Sequence, residues 1–357
     1  MNLSDFDYTL PQKLIAQTPI EPRDASRLMV INRSAGTIKH KRFSDLPDYL
    51  RPGDILALND SRVIPARLFA AKESGGKMEL LLLKELEDET WEVLVGGKRI
   101  RKGTKFTVTG SDLSGEITQE LSGARRIARF NGSLWDTLYD VGHTPLPPYI
   151  HEPLADSERY QTIYSRPEGS AAAPTAGLHF TPDLLISLRD RGVLLEYVTL
   201  HVGLDTFKPV EVDDITQHPI HSEWATISSG AARRINDAKL AGGRIVAVGT
   251  TSVRTLETGA LRSAGVEGSL RNASQLQAGI CPWRPVQAFE EEVDLYIYPG
   301  FHFRAVDVML TNFHLPKSSL LMMVSAYAGQ DLIKRAYQEA IEQEYRFYSF
   351  GDAMLIL

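Results

Sequence analysis

Several histidines and carboxylates stand in short polar segments where acid–base chemistry is possible. Histidine titrates near neutral pH, and burial can raise the pKa of a carboxyl toward the same range. The candidate general acids and bases are His179, His201, His221, His314, Asp60 and Glu223. The sequence does not rank these side chains. A lone strand histidine such as His201 also has a structural reading, as a satisfied core residue.

The same polar segments carry groups that bind carboxylates, phosphates or hydroxyls. Arginine presents a fork that matches carboxylate and phosphate, and N–H and hydroxyl groups at a helix N-terminus bind anions. The alternative for each segment is a structural turn. The predicted binding residues in these segments are Arg23, Asp24, Arg27, Asn59, Ser61, Arg62, Thr175, Gly177, Gly249, Thr250, Thr251, Ser252, Arg254, Asn312, Lys317, Ser318 and Asp352.

One segment, HPIHSEW (218–224), raises the question of a metal. Its spacing is not the HExxH pattern of zinc proteases, and the single Cys281 offers no matching thiol set. We therefore predict no metal site and favour binding or proton transfer for these residues.

The elements that must position these segments are predicted to form an α/β domain. The helix TPDLLISLRDRG precedes the strand LLEYVTLHVGL, and SSGAARRINDAKLAGG precedes RIVAVG. VDLYIY, VDVMLTN and DAMLIL also look like strands, with a helix from about Ser318 and another at DLIKRAYQEAIEQEYRF. Such alternation predicts a mainly parallel sheet, whose ligands bind beyond the carboxyl ends of its strands.

A different pattern runs from about Ala66 to Phe130, where six short strands are separated by turn residues. This spacing predicts a small antiparallel barrel or sandwich. The simplest organisation is an α/β domain formed by residues 1–65 and 146–357, with a β-barrel domain inserted at 66–145. The proline-rich GHTPLPPYI would be the return path.

The composition favours a soluble cytoplasmic protein. Of 357 residues, 43% are hydrophobic and 24% are charged, and no stretch approaches the roughly 20 apolar residues of a membrane span. The N-terminus lacks a secretory pattern, and one cysteine permits no intrachain disulfide.

The formal net charge of −6 argues against a protein that coats nucleic acid non-specifically. It leaves room for a local basic patch at Lys98, Arg99, Arg101 and Lys102, whose alternative is a solvated hairpin tip. The sequence contains no GxGxxG after a first strand, no P-loop and no GxSxG.

Taken in order, the polar segments resemble the S-adenosylmethionine:tRNA ribosyltransferase-isomerases of queuosine biosynthesis. The similarity extends from Pro22 to Ile356. One residue departs from the pattern, since Asp205 stands where glycine is expected in VGLDTF. The matching strings are PRDASRLMV, LNDSRVIPARL, AAPTAGLHFT, VTLHVGL, HPIHSE, VAVGTTSVRTLE, LYIYPGF, LTNFHLPKSSLLMMVSAYAG and YRFYSFGDAMLI.

The resemblance implies the fold described above and a reaction. The ribosyl part of S-adenosylmethionine is transferred to 7-aminomethyl-7-deazaguanine at the wobble position of tRNA and isomerised, giving epoxyqueuosine, adenine and methionine. S-Adenosylmethionine is a co-substrate, and no metal or redox cofactor is implied. We expect a monomer that acts on tRNA away from membranes.

For that chemistry, His179 or His201 is our hypothesis for the base or acid. Arg254 with the 249–252 segment, or alternatively Arg62, would hold the methionine carboxylate, and Tyr298 would face the sulfonium. Arg23, Arg27 and Phe313 are candidates for the pocket of the unstacked base.

Two other functions stay open at this point. An S-adenosylmethionine-dependent RNA methyltransferase would need a glycine-rich loop after an early strand, and would release S-adenosylhomocysteine instead of adenine. A non-catalytic tRNA-binding protein would bind tRNA without consuming the donor. The sequence does not fix which tRNAs are used or the order of substrate binding.

Overall fold

The computed structural model describes residues 1–203, 210–276 and 279–357. Asp205 lies outside these described residues. The strands are β1 Arg27–Asn32, β2 Thr37–Arg42, β3 Ile55–Asn59, β4 Arg62–Val63, β5 Arg67–Lys72, β6 Lys77–Glu87, β7 Thr90–Gly96, β8 Lys105–Val108, β9 Ser114–Glu120, β10 Arg125–Phe130, β11 Glu168–Ser170, β12 Leu194–Leu200, β13 Glu223–Ile227, β14 Ile245–Val248, β15 Phe289–Val293, β16 Val308–Asn312 and β17 Ala353–Ile356. The α-helices are α1 Leu134–Val141, α2 Pro182–Asp190, α3 Ser229–Leu240, α4 Gly249–Ser263, α5 Ser319–Ala328 and α6 Gln330–Glu342.

The chain folds into two compact units. The sheet unit comprises Met1–Arg62, Pro147–Pro167 and Ala173–Leu357. The barrel unit comprises Val63–Leu146 and Glu168–Ala172.

The sheet unit contains a nine-stranded sheet with the order β15-β13-β12-β3-β14-β16-β17-β1-β2. The central strands β12, β3, β14 and β16 are parallel, whereas β13, β15, β17 and β2 each run antiparallel to a neighbour. The predicted α/β class is therefore confirmed, with a mixed sheet. The helices α5 and α6 lie between β16 and β17 in the chain, and β17 pairs antiparallel with β16.

The central strands are buried on both faces. Every residue of β3, β14, β16 and β17 is buried, which explains their near-continuous apolar sequences. On one face, Leu58, Val248 and Leu310 pack in a cluster with Phe180 and Leu184. Each such side chain contributes roughly 1.5–3 kcal/mol on burial, so this layer holds the strand ends in fixed register.

Side-chain caps define where three helices begin. Thr181 Oγ1 accepts from Leu184 N, Ser228 Oγ from Ala231 N, and Ser318 Oγ from Leu321 N. An N-cap of this kind is worth about 1 kcal/mol. Ser318, predicted as a binding residue, therefore has a structural task at the start of α5.

The barrel unit closes in the order β10-β7-β6-β5-β8-β9, with every pair antiparallel. Buried and more exposed residues alternate along β5 and β8, as expected when one face packs inward. Trp91, Phe106 and Phe130 fill the interior. The predicted antiparallel barrel is confirmed.

One predicted strand was wrong over most of its length. VDLYIY contributes only Val293 to β15, and residues 294–298 are irregular although Leu295, Tyr296 and Ile297 are buried. Arg254 supplies the reason, because its guanidinium donates to the carbonyls of Val293 and Leu295 (3.1 and 3.2 Å). Conversely, β13 begins within the segment that the sequence presented as a polar loop.

Candidate active site

The topology gathers the polar segments at one edge of the sheet. The carboxyl ends of β12, β3, β14 and β16 lie there, with Asn59 beside Val198 and Val248 beside Leu310. The amino ends of β17 and β1 reach the same edge, because Ala353 pairs with Asn312. This edge is where an α/β sheet binds its ligands.

His179 is fixed at this edge by contacts on both ring nitrogens. Its Nδ1 lies 2.8 Å from Ser26 Oγ, and its Nε2 lies 3.3 Å from the Nδ2 of Asn312. Asn312 Oδ1 also accepts from Thr175 Oγ1 at 2.9 Å, and the imidazole stacks on Phe43 with a centroid distance of 4.8 Å. With the Asn312 amide oriented in this way, Nε2 accepts and Nδ1 carries the proton.

Burial, helped by the charges of Arg346 and Arg23, lowers the pKa of His179 to about 3. The ring is therefore neutral throughout the physiological range. The lone pair of Nε2 already accepts from the Asn312 amide. His179 therefore acts as a structural connection between β16, the turn at Ser26 and the Thr175–His179 segment.

His314 is similarly enclosed. Its Nε2 lies 2.9 Å from Thr311 Oγ1, its backbone N–H donates to Tyr337 Oη at 2.9 Å, and its carbonyl accepts from Tyr8 Oη. Burial lowers its pKa to about 3. His314 thus anchors the turn between β16 and α5.

His201 differs from these two histidines. It follows β12, stacks on Trp224 with a centroid distance of 5.1 Å, and its buried Nδ1 makes no hydrogen bond among the described residues. Burial lowers its pKa, so the neutral form with an available lone pair dominates near pH 7. His201 is consequently the imidazole best placed to exchange a proton with a ligand.

Asp60 lies beside β12, the strand that His201 follows. Its Oδ1 accepts from Thr199 Oγ1 at 2.7 Å, and burial raises the pKa of its carboxyl. The carboxylate acts electrostatically on both Tyr164 and Tyr197, whose rings are 5.7 Å apart. The arrangement offers a negative charge next to aromatic faces, which suits a cation.

Asn59 fastens the two strands that carry these groups. Its Nδ2 donates to Leu200 O at 3.0 Å, and its Oδ1 accepts from the N–H groups of Leu200 and Ser61, both at 3.1 Å. The buried Ser61 Oγ has no partner among the described residues. Asn59 is thus a structural tie, while Ser61 has hydrogen-bonding capacity left.

The N-terminus of α4 supplies a second element of the edge. Gly249 has a φ of 87°, which favours glycine, and the preceding Val248 provides no side-chain cap. Ser252 Oγ bonds back to Val248 O at 2.8 Å, whereas the buried Thr251 Oγ1 has no partner in the described chain. Free N–H groups and an orphan hydroxyl at a helix N-terminus form a binding site for a carboxylate.

Gly177 brings a further orphan group close to the backbone. A Cβ at this position would lie 2.2 Å from Tyr164 Oη and 2.8 Å from Thr162 Cγ2. Tyr164 Oη and Thr162 Oγ1 are both buried without a hydrogen-bond partner among the described residues. Buried polar atoms normally find partners, so this concentration marks a place for a polar ligand.

Several predicted binding residues are engaged within the protein instead. Arg254 forms a buried ion pair with Glu223, whose Oε1 also accepts from Gly203 N at 2.8 Å. Each of its three guanidinium nitrogens donates to a protein acceptor, so Arg254 holds α4 to β13 and the 293–295 segment. Its assignment to a substrate carboxylate stays a prediction that these contacts do not favour.

The arginines of the PRDASRL segment also have internal partners. Arg23 donates to the carbonyls of Glu158, Gln161 and Leu178 at 3.0–3.1 Å. Arg27 donates to Gln343 O and lies 3.7 Å over the ring of Tyr345. These contacts fix the turn that presents Ser26 to His179.

The remaining predicted residues divide between the edge and structural positions. Thr250 is buried in the first turn of α4, and His221 is half-buried. Phe313 is completely buried among aromatic rings, and Tyr298 is buried with its Oη accepting from Gln275. The other positions have these contacts: Asp24 accepts from Thr181, Arg62 binds Glu158 and Ser165, Lys317 pairs with Asp7, and Asp352 accepts from the N–H groups of Arg27 and Arg346.

Sequence reasoning missed Tyr164, Thr162, Tyr197, Thr199 and Trp224. Thr199 and Trp224 lie inside or beside quoted motifs, so alternation along β12 and β13 was the available signal. Tyr164 and Thr162 come from an irregular segment without periodicity, and only their contact with Gly177 reveals them.

Residues 1–203, 210–276 and 279–357 contain no group of three or more histidine, cysteine, aspartate or glutamate side chains arranged to hold a metal ion. Within the same ranges, no helix has the length and apolar composition needed to cross a bilayer.

Comparison with known proteins identifies the family. The sequence model of the queuosine biosynthesis proteins matches residues 3–356. This chain is a member of that family. Its matched range takes in every strand and helix that contributes to the sheet edge.

Individual members of the queuosine biosynthesis family are similar along their full length. S-Adenosylmethionine:tRNA ribosyltransferase-isomerase of Symbiobacterium thermophilum is 54% identical over 361 residues, and that of Desulforamulus reducens is 49% identical over 361 residues, each alignment covering 100% of both chains. The solved S-adenosylmethionine tRNA ribosyltransferase of Thermotoga maritima is 38% identical and has a TM-score of 0.55, covering 99% of this chain and 100% of its own.

Proposed function

We propose that the chain is an S-adenosylmethionine:tRNA ribosyltransferase-isomerase. It transfers the ribosyl part of S-adenosylmethionine to 7-aminomethyl-7-deazaguanine at the wobble position of tRNA and isomerises it, producing epoxyqueuosine, adenine and methionine. Family membership over residues 3–356 supports the reaction class. The observation that carries the proposal at the level of residues is a set of buried polar atoms at the sheet edge, on Ser61, Tyr164, His201 and Thr251, that have no hydrogen-bond partner among the residues the structure describes.

The donor would bind across β3 and β14. The uncapped N-terminus of α4, with Thr250 and Thr251, supplies N–H and hydroxyl donors for the methionine carboxylate. Asp60, with Tyr164 and Tyr197, would stabilise the positive sulfonium through its carboxylate and the neighbouring ring faces.

Proton transfer would fall to His201. The sulfonium acidifies the protons on C5′ of the ribose, and a neutral imidazole with a free nitrogen is able to accept one. The same group, once protonated, is able to return a proton to the departing adenine. The bond to the acceptor amine forms as the bonds to adenine and methionine break, and the two proton transfers are acid–base chemistry. The proposal therefore requires no metal or redox cofactor, and activity should persist in the presence of a chelator.

The contacts of His179 and His314 support positioning roles for both, because their ring nitrogens already bind Ser26, Asn312 and Thr311. We further propose a monomer that acts in the cytoplasm. The single Cys281, which forms no intrachain disulfide, fits a reducing compartment. Analytical ultracentrifugation and cell fractionation would test these two points.

The decisive experiment combines S-adenosylmethionine with tRNA carrying the aminomethyl base. Free adenine and methionine, with the corresponding mass added to the nucleoside, are the expected products. S-Adenosylhomocysteine would indicate a methyltransferase instead, and binding without donor consumption would indicate a non-catalytic tRNA-binding protein.

The role of His201 has its own test. His201→Gln is expected to lower kcat by about 10²–10⁴-fold, the usual contribution of a general acid or base. His302→Gln, at an exposed histidine, is the matched control and should retain activity. Full turnover by folded His201→Gln would remove His201 from the mechanism.

A further inference from the structure

An exposed loop of the barrel unit concentrates positive charge that the reaction does not use. The basic loop, residues 97–104 between β7 and β8, carries Lys98, Arg99, Arg101 and Lys102, all solvent-exposed. The sequence contains no carboxylate between Glu92 and Asp112. In a chain with a formal net charge of −6, this is a strong local excess of cations.

The backbone of the basic loop is held in place. Ile100, at its centre, is buried in the barrel core, and its carbonyl accepts from Arg126 Nε at 3.2 Å. Gly103 N donates to Ile117 O at 2.8 Å, and Arg101 N donates to Thr104 Oγ1 at 3.0 Å. A backbone held by these contacts therefore presents four solvent-exposed cations.

Other arginines of the barrel unit are paired with carboxylates. Arg67 pairs with Glu79, Arg125 with Glu92, and Arg126 with Glu120, at distances of 3.0, 3.1 and 3.5 Å. By contrast, the four cations of the basic loop form no ion pair with any described residue. Glu120, the carboxylate that pairs with Arg126, contacts this loop through the backbone N–H of Lys102 at 3.3 Å and not through a side-chain ion pair.

We propose that the basic loop binds phosphates of the tRNA backbone. This inference rests on the proposed function for the identity of the polyanion. Lysine and arginine bind phosphate as charges and donors without reading sequence, so the loop would add affinity and orientation to any tRNA. A phosphate chain provides the regularly repeated negative charge that four fixed cations match.

The test replaces three cations while leaving Arg99, whose φ of 57° makes substitution a risk to the backbone. The variant is Lys98→Gln/Arg101→Gln/Lys102→Gln. Binding of an unmodified tRNA transcript is measured by fluorescence anisotropy across a salt series, and KM values are measured for tRNA and S-adenosylmethionine. The expected results are about tenfold weaker tRNA binding, a salt slope reduced by about 2–3, and an unchanged KM for S-adenosylmethionine.

A control variant removes the same charge elsewhere, at exposed lysines of the sheet unit. Lys39→Gln/Lys41→Gln/Lys334→Gln should retain the wild-type affinity and slope. Equal losses in both variants would show a net-charge effect and overturn the proposal, as would wild-type binding by the folded loop variant. If the triple variant does not fold, Lys102→Gln alone should lower the slope by about 1, and no change would refute the proposal.

Failure of the proposed function is separable from failure of this inference. A wild-type protein that releases no adenine would contradict the proposed function. The anisotropy measurement tests the basic loop separately, because it needs neither turnover nor the modified base. Loss of affinity in the loop variant alone would still support a phosphate-binding loop.

Discussion

Two histidines buried in the neutral state should make the stability of this protein fall as the pH drops below neutrality. Burial lowers the pKa of both His179 and His314 to about 3, whereas an unfolded histidine has a pKa near 6.5. Below pH 6.5 the unfolded chain binds protons that the folded chain excludes. The stability that they contribute is therefore complete above pH 6.5 and is lost as the pH falls toward 3.

The magnitude follows from the difference between those pKa values. Between pH 7.0 and 5.5, linkage gives a loss of about 1.3 kcal/mol for each histidine, or about 2.5 kcal/mol for the pair. Burial raises the pKa of Asp60, Glu257 and Asp352, so these carboxyls stabilise the folded state as the pH falls and oppose the effect of the histidines. This opposing contribution is present in every histidine variant. The histidine contribution is therefore isolated by comparing variants.

Urea unfolding at pH 7.0 and 5.5 measures the effect for the wild type, His179→Asn, His314→Asn and the double variant. Each substitution will lower stability at both pH values, but the loss on acidification should shrink by about 1.3 kcal/mol per histidine removed. An identical loss in the wild type and the double variant would show that these imidazoles are protonated in the folded protein, which contradicts their buried contacts.

Further predictions concern other groups around the sheet edge. Asp60→Asn should raise KM for S-adenosylmethionine about tenfold or more, because it removes a charge beside the sulfonium, while KM for tRNA stays constant; equal changes in both would contradict this placement. Glu257→Gln should lower the free energy of unfolding by about 2–3 kcal/mol in urea titrations, because the fully buried carboxylate accepts from the N–H groups of Arg304, Ala305 and Val306. Phe313→Leu should lower the free energy of unfolding by about 1–3 kcal/mol without altering KM for tRNA, since the ring is completely buried. A raised KM for tRNA would instead support a role of Phe313 in the pocket for the base. Gly177→Ala should displace Tyr164 and raise KM for S-adenosylmethionine, and unchanged kinetics would show that this close contact has no part in binding.

The placement of the polar segments at strand ends was predictable because apolar strands bordered by polar residues can be recognised in local sequence. Apolar runs such as Ile55–Asn59 and Ile245–Val248 end in polar residues, and parallel neighbours place those ends at one edge. The barrel was predictable for the same reason, since six short strands with turn residues between them leave few alternatives. The central strands therefore agree with prediction better than the sheet margins do.

The segments at the margins of the sheet depend on contacts with residues far away in the chain. Residues 294–298 have the composition of a strand, but Arg254 uses carbonyls that a ladder would need. The start of β13 looked like a polar loop because Glu223 is charged, and its burial makes sense only with the guanidinium of Arg254 opposite. No window of sequence around either segment contains that information.

Residue roles were harder to predict than residue positions, and the histidines show why. His201 and His314 follow strands, His179 ends the Thr175–His179 turn, and all three have the same intrinsic chemistry. What separates them is whether the ring nitrogens already have partners: Ser26 and Asn312 bind His179, Thr311 binds His314, and the Nδ1 of His201 has none among the described residues. An imidazole whose ring nitrogens already have partners can bind a ligand only by losing a buried hydrogen bond, at a cost of about 1–3 kcal/mol. An imidazole with a nitrogen that has no partner gains a hydrogen bond when a ligand binds. The orphan atoms of Ser61, Tyr164 and Thr251 follow the same logic, so the polar groups that the fold leaves unsatisfied are the ones that a ligand would complete.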